Sequence, residues 1–343
     1  MSCLFGYCGP PADGLLARMA ALLAHRCPLG WEQTGGATAS SDSAEIGHGL
    51  AAWNQQSQLA QRGHDRLGYG GVLFNLDDVA TPSDLATGGA DRLLTTLHWR
   101  HAPEPDLEDL TGAFVLAAKL GDSFYLLRDP AGVKVVYWTV HQGRLLFASE
   151  IKALFADSTL PRRMRPGALP EYLTFSFIPG VGTLFQGIEE LQPGSILHFR
   201  NGQAQVRRHF RCEEWEAKAP SPLAGEGWGG GRTLDYPALV RTALEQSVAE
   251  CLAVSPNRLP AVFLSGGIDS SAVLAVAARQ LPEARLPTFS AHFGAEYARE
   301  NDFVQLMVDR YHTDHHWLEI RPGGFLEQLR EIIWRLDDPI GDP

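Results

Sequence analysis

The sequence lacks an excess of basic residues, long apolar runs and a regular spacing of cysteines. Its 29 Lys and Arg residues face 40 Asp and Glu residues, and the net charge of −11 argues against a nucleic-acid partner, because phosphate backbones bind basic surfaces. No apolar run approaches the roughly 18 residues that a membrane-spanning helix needs, and the first residues, MSCLFGYCGPPADG, do not resemble a signal peptide. We therefore expect neither a nucleic acid nor a membrane as a partner.

The five cysteines are odd in number, scattered along the chain and without a C-x-x-C pair. This distribution fits neither a disulfide framework nor a zinc site, and it favours a reducing compartment, so a cytoplasmic location is expected. Also missing is the phosphate-binding motif G-x-x-x-x-G-K-[ST], whose Lys engages β- and γ-phosphates. Kinase-like and GTPase-like chemistry is therefore not expected.

The periodicity of the sequence divides the chain. Short β-rich runs separated by turns in Gly112–Glu150 predict an antiparallel meander, and Phe185–Phe210 predicts a hairpin through Asn201-Gly202. Residues 211–235 are crowded with Pro, Gly and Glu, which is typical of a linker or an insertion. We expect a first domain at 1–210, this linker, and a second domain at 236–343.

Strands and helices alternate in the second domain, which favours a parallel sheet covered on both faces. The predicted strands are Ala261–Leu264, Thr288–Phe293 and His316–Ile320. Each is followed by a predicted helix, and these are Ser270–Gln280, Arg299–Tyr311 and Gly323–Leu336. The expected fold class is thus an α+β domain of antiparallel sheets with helices, followed by an α/β domain with a parallel sheet.

A Ser-Gly-Gly turn joins the first of these strands to its helix, in AVFLSGGIDSSAVLAVAARQ (261–280). Gly266 and Gly267 let a ligand approach the backbone closely, and the helix presents unpaired N–H groups that suit an anion. The hydroxyls of Ser265, Ser270 and Ser271 add donors. Asp269 would repel phosphate unless Mg²⁺ bridges them, so the pattern favours α-phosphate chemistry in which pyrophosphate leaves.

The motif LSGGIDSS resembles the pyrophosphate-binding loop of the ATP-pyrophosphatase superfamily. Further segments narrow the resemblance to the glutamine-hydrolysing asparagine synthetase family: TFSAHF, YHTDHHWLEI and IIWRLDDPIGDP in the second half, and LTGAFVLAA, LLRDPAGVKVVYW, LLFASEIKALF and GIEELQPGSIL in the first. The resemblance implies a class II glutamine amidotransferase domain of N-terminal-nucleophile-hydrolase-like fold, followed by a PP-loop ATP-binding domain.

Members of that family hydrolyse glutamine and pass ammonia through a tunnel. Their second domain adenylates the side chain of aspartate with Mg·ATP, and ammonia displaces AMP to give asparagine. The resemblance therefore implies an amidoligase with small-molecule substrates (ATP, aspartate or a related carboxylate, and ammonia or glutamine) and, by analogy, a homodimer. By position, pyrophosphate and its Mg²⁺ would be held by Ser265, Gly266, Gly267, Asp269, Ser270 and Ser271, and the adenine and ribose would be flanked by Leu264 and Ala291.

The glutaminase half departs from the family at its nucleophile. The family begins Met-Cys-Gly-Ile, and removal of Met frees the α-amine of Cys, whereas this chain begins Met1-Ser2-Cys3. Ser2 would become the first residue, and the nitrogen of Cys3 would lie in a peptide bond and could not act as a base. Ser2, Cys3 and Asn75 are the remaining candidate catalytic residues.

The pocket that would hold glutamine departs as well. The family's RGPD is RCPL at Arg26–Leu29, its GHRRLS is GHGLAAW from Gly47, and the Gly after the oxyanion-hole Asn is Leu76. The family's SDTE aligns with Gly-Gly-Ala-Asp at 88–91, so the Asp that pairs with the glutamine amine is absent. Our hypothesis is that this site does not turn over glutamine.

Two alternatives to asparagine synthesis stay open. The chain stops at Pro343, in a segment that in the family leads on to a Ser-Gly-Glu-x-x-Asp-Glu loop, so an incomplete or non-catalytic paralogue that binds nucleotide or a partner is one of them. The other is a ligase similar to β-lactam synthetase or lasso-peptide cyclase, acting on another carboxylate. A metal site at His312, His315 and His316 is less favoured, because the segment is predicted as a loop that enters a strand.

Overall fold

The computed structural model describes residues 3–34, 44–49, 58–76, 89–99, 110–210, 235–253, 259–292, 298–320, 323 and 325–339. The chain divides into two compact units, Met1–Lys218 with Ile332–Pro343, and Ala219–Glu331. The domain boundaries expected from composition stay a prediction, since nearly all of the expected linker lies outside the described residues.

In its described residues the first unit contains two antiparallel sheets of six strands each. The strands of one sheet are Leu4–Cys8 (β1), Trp31–Thr34 (β2), Ala44–Gly49 (β3), Tyr137–His141 (β8), Arg144–Ala148 (β9) and Glu189–Glu190 (β10), in the order β10-β8-β9-β1-β3-β2. The strands of the other are Leu59–Arg62 (β4), Asp65–Leu73 (β5), Gly112–Leu120 (β6), Ser123–Arg128 (β7), Ser195–Arg200 (β11) and Gln203–Arg208 (β12), in the order β12-β11-β7-β6-β5-β4.

The two sheets pack face to face through one apolar core. Leu4 on β1 and Phe147 on β9 share a buried cluster with Phe124 on β7, and the rings of Phe124 and Phe147 lie 5.3 Å apart. Helices cover the outer faces: Leu15–Leu22 (α1) packs on the first sheet and Gly89–Trp99 (α2) on the second. Because β1 is covered on both sides, all five of its residues are buried.

The hairpin predicted from the sequence is confirmed, whereas the run predicted as one antiparallel meander forms two antiparallel hairpins, one in each sheet. Strands β6 and β7 pair antiparallel, as do β8 and β9, and the two short helices Ile151–Leu154 (α3) and Ala168–Phe175 (α4) follow. Asn201 and Gly202 join β11 to β12 with φ of 52° and 76°, the left-handed pair that a two-residue hairpin turn requires.

Among its described residues, the second unit contains a sheet of three strands, Val262–Phe263 (β13), Pro287–His292 (β14) and Asp314–Glu319 (β15), in that order. Both strand pairings are parallel, as predicted. The elements after the expected linker are Tyr236–Ala253 (α5), Val262–Phe263 (β13), Ile268–Gln280 (α6), Pro287–His292 (β14), Ala298–Tyr311 (α7), Asp314–Glu319 (β15) and Phe325–Leu336 (α8). The buried core here includes Leu264, Leu274 and Val304.

The described residues cover this sheet less completely than the sequence predicted. On β14, Thr288 and Ser290 are buried, whereas Phe289 and Ala291, which alternate with them, are exposed. Phe263 on β13 is 85% exposed. The alternation is that of a strand with one packed face, so cover on both faces is not seen among the described residues.

Candidate functional site

The loop between β13 and α6 has the backbone that an anion-binding turn requires. Gly266 adopts a φ of 82°, a left-handed conformation that costs little only without a side chain. Gly267 is the extended N-cap of α6, and no side chain caps that helix. The helix begins at Ile268, two residues earlier than predicted, so Asp269 lies within its first turn. The first N–H groups of α6 therefore face the loop without partners from the preceding turn.

Two serine hydroxyls meet inside this loop. Ser265 Oγ lies 3.1 Å from Ser270 Oγ, and the Ser270 hydroxyl donates to the carbonyl of Gly267 at 3.2 Å. The N–H groups of Ser265 and Gly267 donate to Ser270 Oγ and Ser265 Oγ at 3.2 and 3.3 Å. These bonds are long, and therefore weak, so phosphate oxygens could replace them as acceptors at small cost. Ser271 contributes its N–H to the helix, bonded to the Gly267 carbonyl.

The strand beneath the loop is firmly held. Leu264 is 1% exposed, its N–H donates to the carbonyl of Phe289 at 2.8 Å, and its own carbonyl accepts the hydroxyl of Ser290. Ala291 follows on the same neighbouring strand and is exposed. The end of β13 is thus fixed to β14, while the loop that leaves it is open to ligand.

Asp269 is the acidic residue that could meet a magnesium ion here. Among the described residues, no group of three or more His, Cys, Asp and Glu side chains could hold a metal. Mg²⁺ usually keeps several waters and is bound by one or two carboxylates together with substrate phosphates. Asp269, exposed beside the hydroxyls, fits Mg²⁺ that arrives with pyrophosphate rather than a metal cage made by protein alone. Of the histidines considered as a metal site from the sequence, His315 is engaged within the protein, with its Nδ1 bonded to Thr288 Oγ1 at 2.9 Å.

The N-terminal candidates are placed differently from one another. Ser2 lies outside the described residues. Cys3 is fully buried, and its Sγ lies 3.1 Å from Sγ of Cys27. Asn75 follows β5, and its Oδ1 accepts the N–H of Thr111 at 2.8 Å. In the structure the Asn75 carbonyl oxygen therefore holds two chain segments together.

The segment aligned with the family's amine-binding acid also has a structural partner. Asp91 in α2 receives two hydrogen bonds from the guanidinium of Arg62, at 3.1 and 3.2 Å. Gly89 and Ala90 precede it without a carboxylate, and residue 88 lies outside the described residues. The carboxylate that residues 89–91 contain is therefore engaged with Arg62.

A buried network of charges adjoins the RCPL segment. Glu150 is 1% exposed; its carboxylate accepts hydrogen bonds from Arg26 and Lys152, and His25 Nε2 lies 3.0 Å away. Lys152 Nζ also donates to Asp337 at 3.0 Å. Asp337 in turn accepts the N–H groups of Ile151 and Lys152 at the start of α3. Reasoning from the sequence missed this network, and its sole local signal is the acid–Lys spacing in FASEIKAL.

The network lines a cavity of about 780 Å³ in the first unit. Arg26, Glu150 and Asp337 border it together with apolar side chains such as Phe175 and Ile178, and Asp338 does so as well. Burial, and then the charges of Glu190 and Asp337, raise the pKa of Asp338 to about 6. A second cavity of about 230 Å³ shares Arg26, Val135 and Ser149 with the first.

Comparisons with known proteins assign both parts of the chain to families. Residues 1–210 match the family described as glutamine amidotransferase domain, and residues 239–343 match the family described as asparagine synthase. Asparagine synthetase [glutamine-hydrolyzing] 1 of Bacillus subtilis is 29% identical over 249 residues, which cover 71% of this chain and 37% of that protein. Carboxyethyl-arginine beta-lactam-synthase of Streptomyces clavuligerus is 29% identical over 259 residues, covering 71% of this chain and 45% of that protein.

Among solved structures, the glutamine phosphoribosylpyrophosphate amidotransferase from B. subtilis is similar at a TM-score of 0.42 and 14% identity, covering 92% of this chain and 81% of that one. The chain spans less than half the length of the two curated relatives named above. Within the part of the chain that the structure describes, no helix is long and apolar enough to cross a membrane.

Proposed function

The chain belongs to the asparagine synthetase family, and we propose that it is an ATP-dependent amidoligase that activates a carboxylate by adenylation. The observation that carries the proposal is the loop Ser265–Ser271, where a left-handed glycine, two converging hydroxyls and a helix N-terminus meet at the carboxyl end of a parallel strand. Ligands of open parallel sheets bind at that edge.

The proposed reaction needs this loop for its first step. An oxygen of the acceptor carboxylate attacks the α-phosphorus of ATP, the bond to the β-phosphate oxygen breaks, and pyrophosphate leaves. The hydroxyls of Ser265 and Ser270 and the N–H groups at the start of α6 would hold the leaving pyrophosphate, whose charge Mg²⁺ beside Asp269 would offset. Ammonia or an amine then attacks the acyl carbon, and AMP leaves with the electron pair of the carbon–oxygen bond.

We further propose that the amidotransferase domain does not hydrolyse glutamine. Cys3 is buried against Cys27, and Asp91 is paired with Arg62. A hydrolysing site needs a reachable nucleophile, an oxyanion donor and groups that hold the substrate's charged ends. Nitrogen would then come from free ammonia or from an amine of the substrate itself.

The acceptor has two candidates. Aspartate is the one that the family name favours, and a carboxylate whose own molecule carries the amine is the one that the similarity to the β-lactam-forming relative favours. In the second case no external ammonia is consumed, because the amine that attacks belongs to the activated molecule.

The test is ATP–pyrophosphate exchange by the chain, measured with Mg²⁺ and either aspartate or a panel of amino-acid carboxylates. Exchange that depends on one carboxylate and is lost in Asp269→Asn supports the ligase. Absence of exchange together with retained Mg·ATP binding supports the non-catalytic nucleotide-binding alternative. Glutamate release from glutamine, abolished by Ser2→Ala or Cys3→Ala, would overturn the proposal that the amidotransferase site is inactive.

A further inference from the structure

Two buried thiols face one another in the first unit. Of the cysteines that the structure describes, Cys3, Cys8, Cys27 and Cys251 are all in the thiol form. The sulfur atoms of Cys3 and Cys27 are 3.1 Å apart, although 24 residues separate them in the sequence. Both belong to the apolar cluster that also contains Phe5, Met19 and Leu23.

The two thiols are not equivalent. Cys3 is fully buried, whereas Cys27 keeps 7% of its surface exposed. The hydrogen bond from Cys3 lowers the pKa of the Cys27 thiol and burial opposes this; the charge of Arg26 adds to the lowering, and the charge of Glu150 opposes it. A thiolate is the reactive form of cysteine, so Cys27 is the thiol that is both more reactive and more reachable.

We propose that Cys3 and Cys27 form a peroxide-reactive dithiol that closes to an intramolecular disulfide. The Cys27 thiolate attacks one oxygen of hydrogen peroxide, the O–O bond breaks, and hydroxide leaves to be protonated to water. Cys27 is then a sulfenic acid. The Cys3 sulfur attacks the Cys27 sulfur, the S–O bond breaks, and a second water leaves. In sum, two thiols and one hydrogen peroxide give one disulfide and two waters.

The backbone around the pair allows the closure on one side. The sulfur–sulfur distance must shorten from 3.1 Å to about 2.05 Å, a movement of about 1 Å. Cys3 adjoins β1, where Leu4 is bonded to Ser149 through its N–H at 2.9 Å and through its carbonyl at 3.1 Å. Cys27 instead follows a short 3₁₀ turn, Ala24–Arg26, and lies outside any sheet. Cys27 is therefore the partner that moves.

The movement has an immediate consequence for the charge network. Arg26 precedes Cys27 and is bonded to the buried carboxylate of Glu150, which also borders the 780 Å³ cavity. Closing the disulfide pulls on the residue next to that ion pair. Oxidation of the dithiol would thus shift the position of Arg26. This inference does not depend on the proposal that the chain is a ligase.

The experiment uses the full chain with Cys212→Ser and Cys251→Ser, so that three cysteines remain. The protein is exposed to hydrogen peroxide, alkylated with iodoacetamide, digested with trypsin without reduction, and analysed by mass spectrometry. We expect loss of two alkylation sites and a new disulfide between the tryptic peptides Met1–Arg18 and Cys27–Arg62. Fragment ions should place the link on Cys3, and dithiothreitol should restore both thiols.

Single variants assign the roles and keep the test decisive. Cys8→Ala, the matched control on β1, should leave the disulfide intact. Cys3→Ala should abolish it and leave Cys27 as a sulfenic acid that dimedone labels, whereas Cys27→Ala should lose both signals. A link to Cys8, a link between two chains, or two thiols that remain alkylatable while peroxide oxidises free glutathione in the same tube would each overturn the proposal.

Discussion

The two halves of the chain hold their candidate sites in opposite ways. In the first unit the conspicuous polar groups are buried and bonded to one another: Glu150 is 1% exposed and bonded to Arg26 and Lys152. In the second unit Ser265 and Asp269 of the candidate loop are exposed, and the hydroxyls of Ser265 and Ser270 bond weakly to one another. The buried network favours a fixed structure. The loop favours hydroxyl groups that can give up their bonds to one another and bind a ligand instead.

Removal of the lysine in the buried network should have the largest effect on stability. Lys152→Met leaves Asp337 without its cation and Glu150 without one of its two cations, and an uncompensated buried charge costs about 3–5 kcal/mol. Urea denaturation should show that loss in the free energy of unfolding. Arg279→Met, which breaks an exposed pair with Glu245, is the control and should cost less than about 1 kcal/mol. Equal losses in the two variants would contradict the contrast between the halves.

A substitution in the open loop should instead cost binding. Gly266→Ala places a side chain at a φ of 82°, with a strain of about 1–2 kcal/mol, and disturbs the donors that would face pyrophosphate. Calorimetric titration should show loss of Mg·pyrophosphate binding. Gly180→Ala is the matched control, because Gly180 has a φ of 83° and an added Cβ would meet nothing within 4 Å. The control should lose similar stability and keep binding; parallel loss of binding in both would refute the role of the loop.

A smaller effect is expected from the pH dependence of Asp338. Its folded pKa of about 6 lies above the value near 3.9 of an unfolded chain, so the folded state binds more protons between these values. The contribution of this group is most favourable below pH 4 and is lost as the pH rises through 6. Asp338→Asn should therefore raise the stability at pH 8 by roughly 1 kcal/mol, after allowance for solvent screening, and leave it unchanged near pH 4.

Urea melts at the two pH values check this expectation. Asp122→Asn supplies the control, since the side chain of Asp122 is 77% exposed beside Arg200 and should not change the pH dependence. A variant at Asp338 that is less stable at pH 8 than the parent chain would show that the carboxylate is stabilising there, against the direction of the pKa.

Local patterns predicted most of the fold because the signals themselves are local. Turn residues such as Asn201-Gly202 fixed the hairpin, and the alternation of strands and helices indicated the parallel sheet. The predicted start of α6 was two residues too late. The helix is capped by the extended backbone of Gly267, and a residue without a side chain gives no signal of that role in the sequence.

The candidate site was predictable only where a single segment builds it. The loop Ser265–Ser271 is contiguous, and the hydroxyls of Ser265 and Ser270 lie 3.1 Å apart in it. Its role in binding pyrophosphate stays a prediction. The contact between Cys3 and Cys27 was not predicted, since the five cysteines show no spacing rule in the sequence. The bond between Lys152 and Asp337 joins residues 185 positions apart, and no local periodicity could indicate it.

The separation in sequence between Lys152 and Asp337 has a consequence for folding during synthesis. The N–H groups at the start of α3 donate hydrogen bonds to the carboxylate of Asp337, which follows Ile151 by 186 residues. A ribosome that adds about 5–20 residues per second would need roughly 10–40 seconds to supply this residue after α3 has been synthesised. Until then Lys152 and Glu150 would be present in the nascent chain without Asp337. The first unit of this protein would therefore finish folding only after residues 219–331 have been synthesised, although almost all of its own residues emerge earlier.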